Sequence, residues 1–261
     1  MSQTIVTTSW DDDHRSGLRV AEFLSAFALR GTFYLPTGEL GKESKLSTAD
    51  LRNLTGAGFE IGAHTVSHAI LTELPYAEAL REVSECKEVL QQALSTDVKM
   101  FCYPKGRFNS RVIAAVKQAG YVGARTTQML AWKQPSNLFT LPVTVQAYPH
   151  ARGNYVRALL RTKALKSLLN ATPDLIAFED WLQLGKKLFD RVLKHGGTWH
   201  LYGHPWEIEK LNLWGPLRQM LEYVSGRNGV IYATNIQMLE LTSDSKLESR
   251  IATSPTARKL S

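Results

Sequence analysis

The chain has 261 residues, 44% hydrophobic and 21% charged, a globular composition long enough for one large α/β domain with a substantial core. Its 31 Lys and Arg against 24 Asp and Glu leave a formal charge of +7, yet they are scattered and form no block of the kind that marks a nucleic-acid arm. No window approaches the ~18 to 20 apolar residues of a spanning helix, and "MSQTIVTTSW" lacks a basic start followed by an apolar run, so the expectation is a soluble, cytoplasmic chain without integral membrane segment or nucleic-acid partner.

In chain order, "TIVTTSW" reads as a buried strand, followed by the helical pattern "GLRVAEFLSAFAL" and the β-rich "GTFYLP". "STADLRNLTGAG" opens on a Ser-x-x-Asp cap and closes on Gly, as helices do. The strand-like "FEIGAHT" and the long helix "YAEALREVSECKEVLQQAL" come next, then "VKMFCYP", the helix "NSRVIAAVKQAG" and "YVGARTT". A less regular stretch runs from Met129 to Gly153, and helical segments then lead to "GGTWHLYGH", another helix and "GVIYAT". Strand and helix alternating in this way predict a parallel sheet closed or nearly closed into a barrel. With no repeat and no linker, residues 1–242 read as one catalytic domain and 243–261 as a flexible tail. Cys86 and Cys102 form no CxxC and read as reduced packing residues.

Parallel α/β barrels place their sites at the C-terminal ends of the strands. Here the first predicted strand ends in Trp10-Asp11-Asp12-Asp13-His14, "FEIGA" in His64-Thr65-Val66-Ser67-His68, and "MFCY" in Pro104-Lys105-Gly106-Arg107. "YVGA" ends in Arg125-Thr126-Thr127 and "TWHLYG" in His204-Pro205-Trp206-Glu207. A helical turn over "HTVSH" would put His64 and His68 on one side, able to share a metal. Two imidazoles and a carboxylate form an open coordination set for Zn²⁺ that leaves room for water.

These residues resemble the polysaccharide deacetylase family (carbohydrate esterase family four). Trp10-Asp11-Asp12 matches its aromatic-Asp-Asp motif, and His64 to His68 its His-Ser/Thr-x-x-His. Pro104 to Asn109 matches its Pro-Gly-Asn loop, and Leu201 to His204 its Leu-x-x-His. The resemblance implies a distorted parallel (β/α) barrel of about seven strands and hydrolysis of an N-acetyl group on an amino sugar or glycan. It implies Asp11 as general base, His204 as general acid, and the Lys105 backbone N–H as an oxyanion donor. Asp12, His64 and His68 would hold the metal, zinc with cobalt or nickel as substitutes.

Three departures stand out. The residue after the Asp pair is usually Gly and here is Asp13, which could raise the Asp11 pKa or ligate the metal. The arginine that pairs with the base is replaced at its position by Cys102, leaving Arg125 as a candidate and Arg107 as a second. The usual Asp-x-x-Asp-Trp motif gives way to "ARTT", so the partner of His204 is open, with Glu207 either capping a helix or supporting the histidine. Trp10 and Trp206 read as core or pocket wall, with a sugar-stacking platform as the alternative, His14 and His200 as structural histidines, and Asp180 as a helix N-terminal residue. Residues 129–153 and 154–180 are expected to shape a substrate groove. Alternative readings are a deformylase or ring amidase, and a glycan-binding protein without turnover. Composition does not address the oligomeric state.

Overall fold

The computed structural model describes residues 3–133, 137–151, 153–155, 157 and 180–242. The expected tail at 243–261 and most of the expected groove segment 154–180 lie outside the described residues. Among the described residues eight strands run β1 (Thr4–Asp11), β2 (Thr32–Leu35), β3 (Glu60–Ala63), β4 (Met100–Cys102), β5 (Gly123–Arg125), β6 (Val145–Gln146), β7 (Gly197–Gly203) and β8 (Val230–Tyr232). Between them lie α1 (Ser16–Ala26), α2 (Thr48–Gly56), α3 (Tyr76–Leu94), α4 (Ser110–Gln118), α5 (Trp181–His195), α6 (Pro205–Lys210) and α7 (Trp214–Val224).

Every strand pairing is parallel, in the order β5-β4-β3-β2-β1-β7-β6. β8 covers the first half of β1, Thr4 to Val6, on the edge whose second half pairs with β2. At the β5 end the gap is spanned by the segment that leads into β6: Leu141 forms a parallel bridge with Arg125, reinforced by backbone bonds from Leu141 N–H to Ala124 O and from Thr126 N–H to Leu141 O. This closure makes the curled sheet the distorted parallel barrel expected from the sequence, seven strands along its path and the short β8 beside it.

β1 is buried at every position because it has barrel interior on one face and helices on the other. The helices carry one apolar stripe each: on α3 it is Ala79, Val83, Cys86 and Leu90, at the three- and four-residue spacing of a buried face. Side chains cap the starts of α2, α4 and α5: Ser47 and Asp50 in a reciprocal box, Asn109 accepting from Val112 N–H, and Asp180 accepting from Gln183 N–H. Among the described residues, no helix is long and apolar enough to cross a membrane.

The N-terminal mouth of the barrel is sealed by a polar network. Asn235, fully buried, donates its amide to Thr7 Oγ1 at 2.8 Å, accepts from the Tyr34 hydroxyl at 2.9 Å, and donates its N–H to Thr32 Oγ1 at 2.9 Å. The Glu60 carboxylate accepts from Thr32 Oγ1 at 2.7 Å and from Ile236 N–H at 3.0 Å. Burial pushes this carboxyl up to about 7, against the opposite pull of those hydrogen bonds. The folded chain thus holds the Glu60 proton at pH values where the unfolded chain has released it. The resulting stabilisation is complete below about 4.5 and is lost as pH rises through about 7. In urea titrations, Glu60→Gln is expected to gain stability relative to the wild type as pH rises across that window; a pH-independent difference would contradict this.

Candidate active site

The strand ends bring the expected residues to one mouth of the barrel. β1 stops at Asp11, and Asp12 turns into the left-handed region at φ 73° while its N–H donates to Tyr34 O at 3.0 Å. Adjacent strand residues point to opposite faces, and this turn is what lets both carboxylates serve one site. Trp10 is fully buried in the core, so it is no sugar platform. Trp206 is about one-third exposed and donates its indole N–H to Asp12 Oδ2 at 2.8 Å.

Asp11 is buried and ion-paired with Arg125, itself fully buried between the rings of Tyr34 and Tyr202. Burial alone would raise the Asp11 pKa, but the charge and hydrogen bond of Arg125, with His204 beside them, outweigh it and hold the carboxyl below its ordinary value. Cys102 and Arg125 are register partners on β4 and β5. The missing arginine therefore reappears one strand over at the same level, while the Cys102 thiol sits 3.7 Å from Asp11 Oδ2. Burial raises the thiol's pKa well above its usual value. Arg107, the second candidate, is exposed and paired with Glu73 at 2.6 Å.

Residues 64–68 form no helical turn; they are an irregular loop with Thr65 at φ 69° and His68 at φ 59°. Glu82 on α3 holds this loop, accepting from Val66 N–H and Ser67 N–H at 2.9 Å each and from Ser67 Oγ at 2.8 Å. His64 is buried, and its Nδ1 lies 2.8 Å from the Cys102 carbonyl. A carbonyl only accepts, so Nδ1 carries the proton and Nε2 keeps its lone pair. Burial lowers the His64 pKa to about 4, which keeps the ring neutral.

Two donor sets share His64: Asp12 with His68, and Asp11 with Cys102, each with ligand atoms within 4.8 Å of one another. With one free nitrogen, His64 can serve only one at a time. Asp11 is already engaged by Arg125, and burial keeps Cys102 a thiol, a poor ligand. Asp12 and His68 are half-exposed, 3.7 Å apart, and open onto a cavity of about 660 Å³. Asp12, His64 and His68 therefore fit a divalent metal with room for further ligands. Asp13 is not among them: fully buried, it is neutralised by Lys45 at 2.7 Å.

On the facing strand end, His204 Nε2 lies 3.9 Å from Asp11 Oδ2, and its Nδ1 is 2.7 Å from Glu207 Oε2. Burial would lower the His204 pKa, but the Glu207 hydrogen bond and the charges of Asp11, Glu207 and Asp12 together raise it. Glu207 is thus the partner of His204 that the missing motif left open. Gln146 lies 3.4 Å from Glu207 and accepts at 2.6 Å from the Tyr202 hydroxyl. Lys105 sits in a tight turn with Gly106, at φ 53° and 65°, and lines a second cavity of about 580 Å³ with Tyr202 and Gln146. His200 is buried and bonded to Ser9 at 2.8 Å, a structural histidine, and His14 is bonded to Ser16 at 2.7 Å. Sequence reasoning missed Glu82, whose only signal is its place beside the apolar stripe of α3.

Comparison with known proteins shows what the chain is similar to. Residues 1–124 match the family model described as Polysaccharide deacetylase, so the resemblance read from the motifs is borne out over the part of the chain that carries Asp11, Asp12, His64, His68 and Lys105. A curated relative, named "Putative polysaccharide deacetylase YxkH" in Bacillus subtilis (strain 168), is 21% identical over 141 residues, covering 54% of this chain and 50% of that protein. The chain thus spans about half the length of that relative. A Mycobacterium smegmatis crystal structure of the same description superposes with TM-score 0.69 at 17% identity, covering 94% of this chain and 92% of that one. A family 4 acetyl xylan esterase from Clostridium thermocellum, in complex with a cobalt ion, does so with TM-score 0.57 at 16% identity, covering 92% of each chain. These likenesses establish the fold.

Removing one member of a buried ion pair leaves a charge without compensation, at a cost of about 3–5 kcal/mol. Arg125→Met is expected to lose stability on that scale in urea titration, and adding Asp11→Asn to restore most of it. Losses that simply add would show that Arg125 does not compensate Asp11.

Proposed function

We propose that the chain, through a catalytic unit in residues 1–242, hydrolyses the N-acetyl group of an amino sugar in a glycan or glycan precursor, giving a free amine and acetate. The observation that carries this reading is the pairing of an ionised carboxylate, Asp11, with a histidine of raised pKa, His204, 3.9 Å away and beside the Asp12, His64 and His68 donor set. Binding alone needs neither a base nor an acid. The family match, and neighbours described as deacetylases and an acetyl xylan esterase, support acyl hydrolysis.

Asp12, His64 and His68 would hold the metal, which we take to be zinc, with cobalt or nickel as substitutes; the cobalt of the Clostridium thermocellum neighbour supports a divalent ion. Such an ion, when bound, lowers the pKa of water towards ~7 and polarises an acyl oxygen. Asp11, oriented by Arg125, accepts the proton of the water that adds to the acyl carbon. The Lys105 N–H donates to the acyl oxygen as it gains charge. His204 gives its Nε2 proton to the departing nitrogen as the C–N bond breaks, and Glu207 at Nδ1 steadies the charged ring. The Trp206 indole holds Asp12, and Glu82 holds the loop that carries His68.

Acetate release from chitooligosaccharides, peptidoglycan fragments and nucleotide-linked N-acetyl sugars tests the reading, with metal-stripped and zinc-restored protein. Zinc-dependent acetate is expected, falling about 10²- to 10⁴-fold in Asp11→Asn and in His204→Ala, while His204→Ala retains zinc. Full activity in Asp11→Asn, or no product from any member, would overturn it; formate from formylated sugars would move the substrate class. Glu82→Ala is expected to weaken zinc binding about 10- to 100-fold in equilibrium dialysis; unchanged binding would show that the loop needs no support from α3.

A further inference from the structure

The candidate centre lies between two cavities of unlike charge. The His204 ring is 5.9 Å from that of Trp206, which lines the first, and 6.0 Å from that of Tyr202, which lines the second. In the first cavity the lysines are compensated: Lys45 lies 2.7 Å from Asp13 and 3.1 Å from Glu39, and Lys42 lies 3.7 Å from Glu39. The second cavity is lined by Lys105, Arg107 and Arg157 and, among the described residues, by no carboxylate. Arg107 is held by Glu73 at 2.6 Å, whereas Lys105 and Arg157 have no ion-pair partner among the described residues. His150, also at this wall, donates through Nε2 to Gln146 Oε1 at 2.7 Å, and burial lowers its pKa.

Two cations on one concave wall, neither paired among the described residues, repel each other and raise the local concentration of anions. The same wall carries Lys105, whose N–H is the oxyanion donor of the reading above, so a ligand with its acyl group at the centre extends into this cavity. We propose that the cavity is a subsite for an anionic substituent, a phosphoester or a carboxylate, on the acylated amino sugar, held by the side chains of Lys105 and Arg157. This inference rests on the deacetylase reading and narrows its substrates to anionic amino sugars in preference to neutral oligomers.

Ligand-observed NMR titrations with N-acetylglucosamine, N-acetylglucosamine 1-phosphate and N-acetylmuramic acid test it, on zinc-loaded and metal-stripped protein. At least one charged sugar is expected to bind about tenfold more tightly than the neutral one in both forms, with the preference shrinking as salt is added. The phosphate and carboxylate arms show which anion the cavity takes. Lys105→Gln/Arg157→Gln is expected to reduce the preference to about twofold or less, its fold checked by thermal melting. Equal affinity for all three sugars would overturn the proposal. So would a preference confined to the zinc-loaded form and unchanged in the double variant, because the anion would then sit on the metal. A chain that binds anionic sugars preferentially but releases no acetate would sink the deacetylase reading alone; one that releases acetate without any preference would sink the subsite alone.

Discussion

The buried ion pair between Asp11 and Arg125 is the interaction on which the candidate site depends. Either charge alone would be costly in this interior, and together they are tolerated because the guanidinium also lies against the rings of Tyr34 and Tyr202. The pair ties the end of β1 to the end of β5 across the barrel mouth. It also divides labour between two chemically identical neighbours. Asp11 is kept ionised and engaged, while Asp12, turned out by its left-handed backbone, is left to face His68.

Strain gathers around the same centre. Asp12, Thr65, His68 and Lys105 are all non-glycine residues at positive φ, a conformation that costs free energy and persists only where surroundings impose it. The imposing contacts are visible: Tyr34 O on Asp12 N–H, and Glu82 on the loop between the histidines. The candidate groups are thereby held in place by backbone turns, the arrangement that would let fixed dipoles and charges act without reorganisation in the proposed reaction.

Much of this was legible in the sequence because strand ends in a parallel barrel converge. Reading what each strand ends with placed Asp11, Asp12, His64, His68 and His204 together, and the matched motifs named their order. What stayed hidden depended on register and on helix rotation. Arg125 could be a candidate but not an assignment until Cys102 and Arg125 proved to be register partners. Asp13 looked like a competitor for the metal, and only the tertiary contact with Lys45 removes it. Among the four glutamates on α3, nothing in the spacing separates Glu82, which grips the loop between His64 and His68, from those facing solvent. The helical turn expected over "HTVSH" was the wrong local geometry for a correct grouping, because the two imidazoles meet through a loop, with ring centroids 4.8 Å apart.

The central claim is that the Asp11–Arg125 pair reserves Asp11 for proton transfer and leaves Asp12, His64 and His68 to the metal. Anomalous diffraction from crystals soaked in zinc measures this directly. The account predicts one peak within bonding distance of an Asp12 oxygen and Nε2 of both histidines, with Asp11 still paired to Arg125. A peak bounded instead by Asp11, Cys102 and His64 would contradict it.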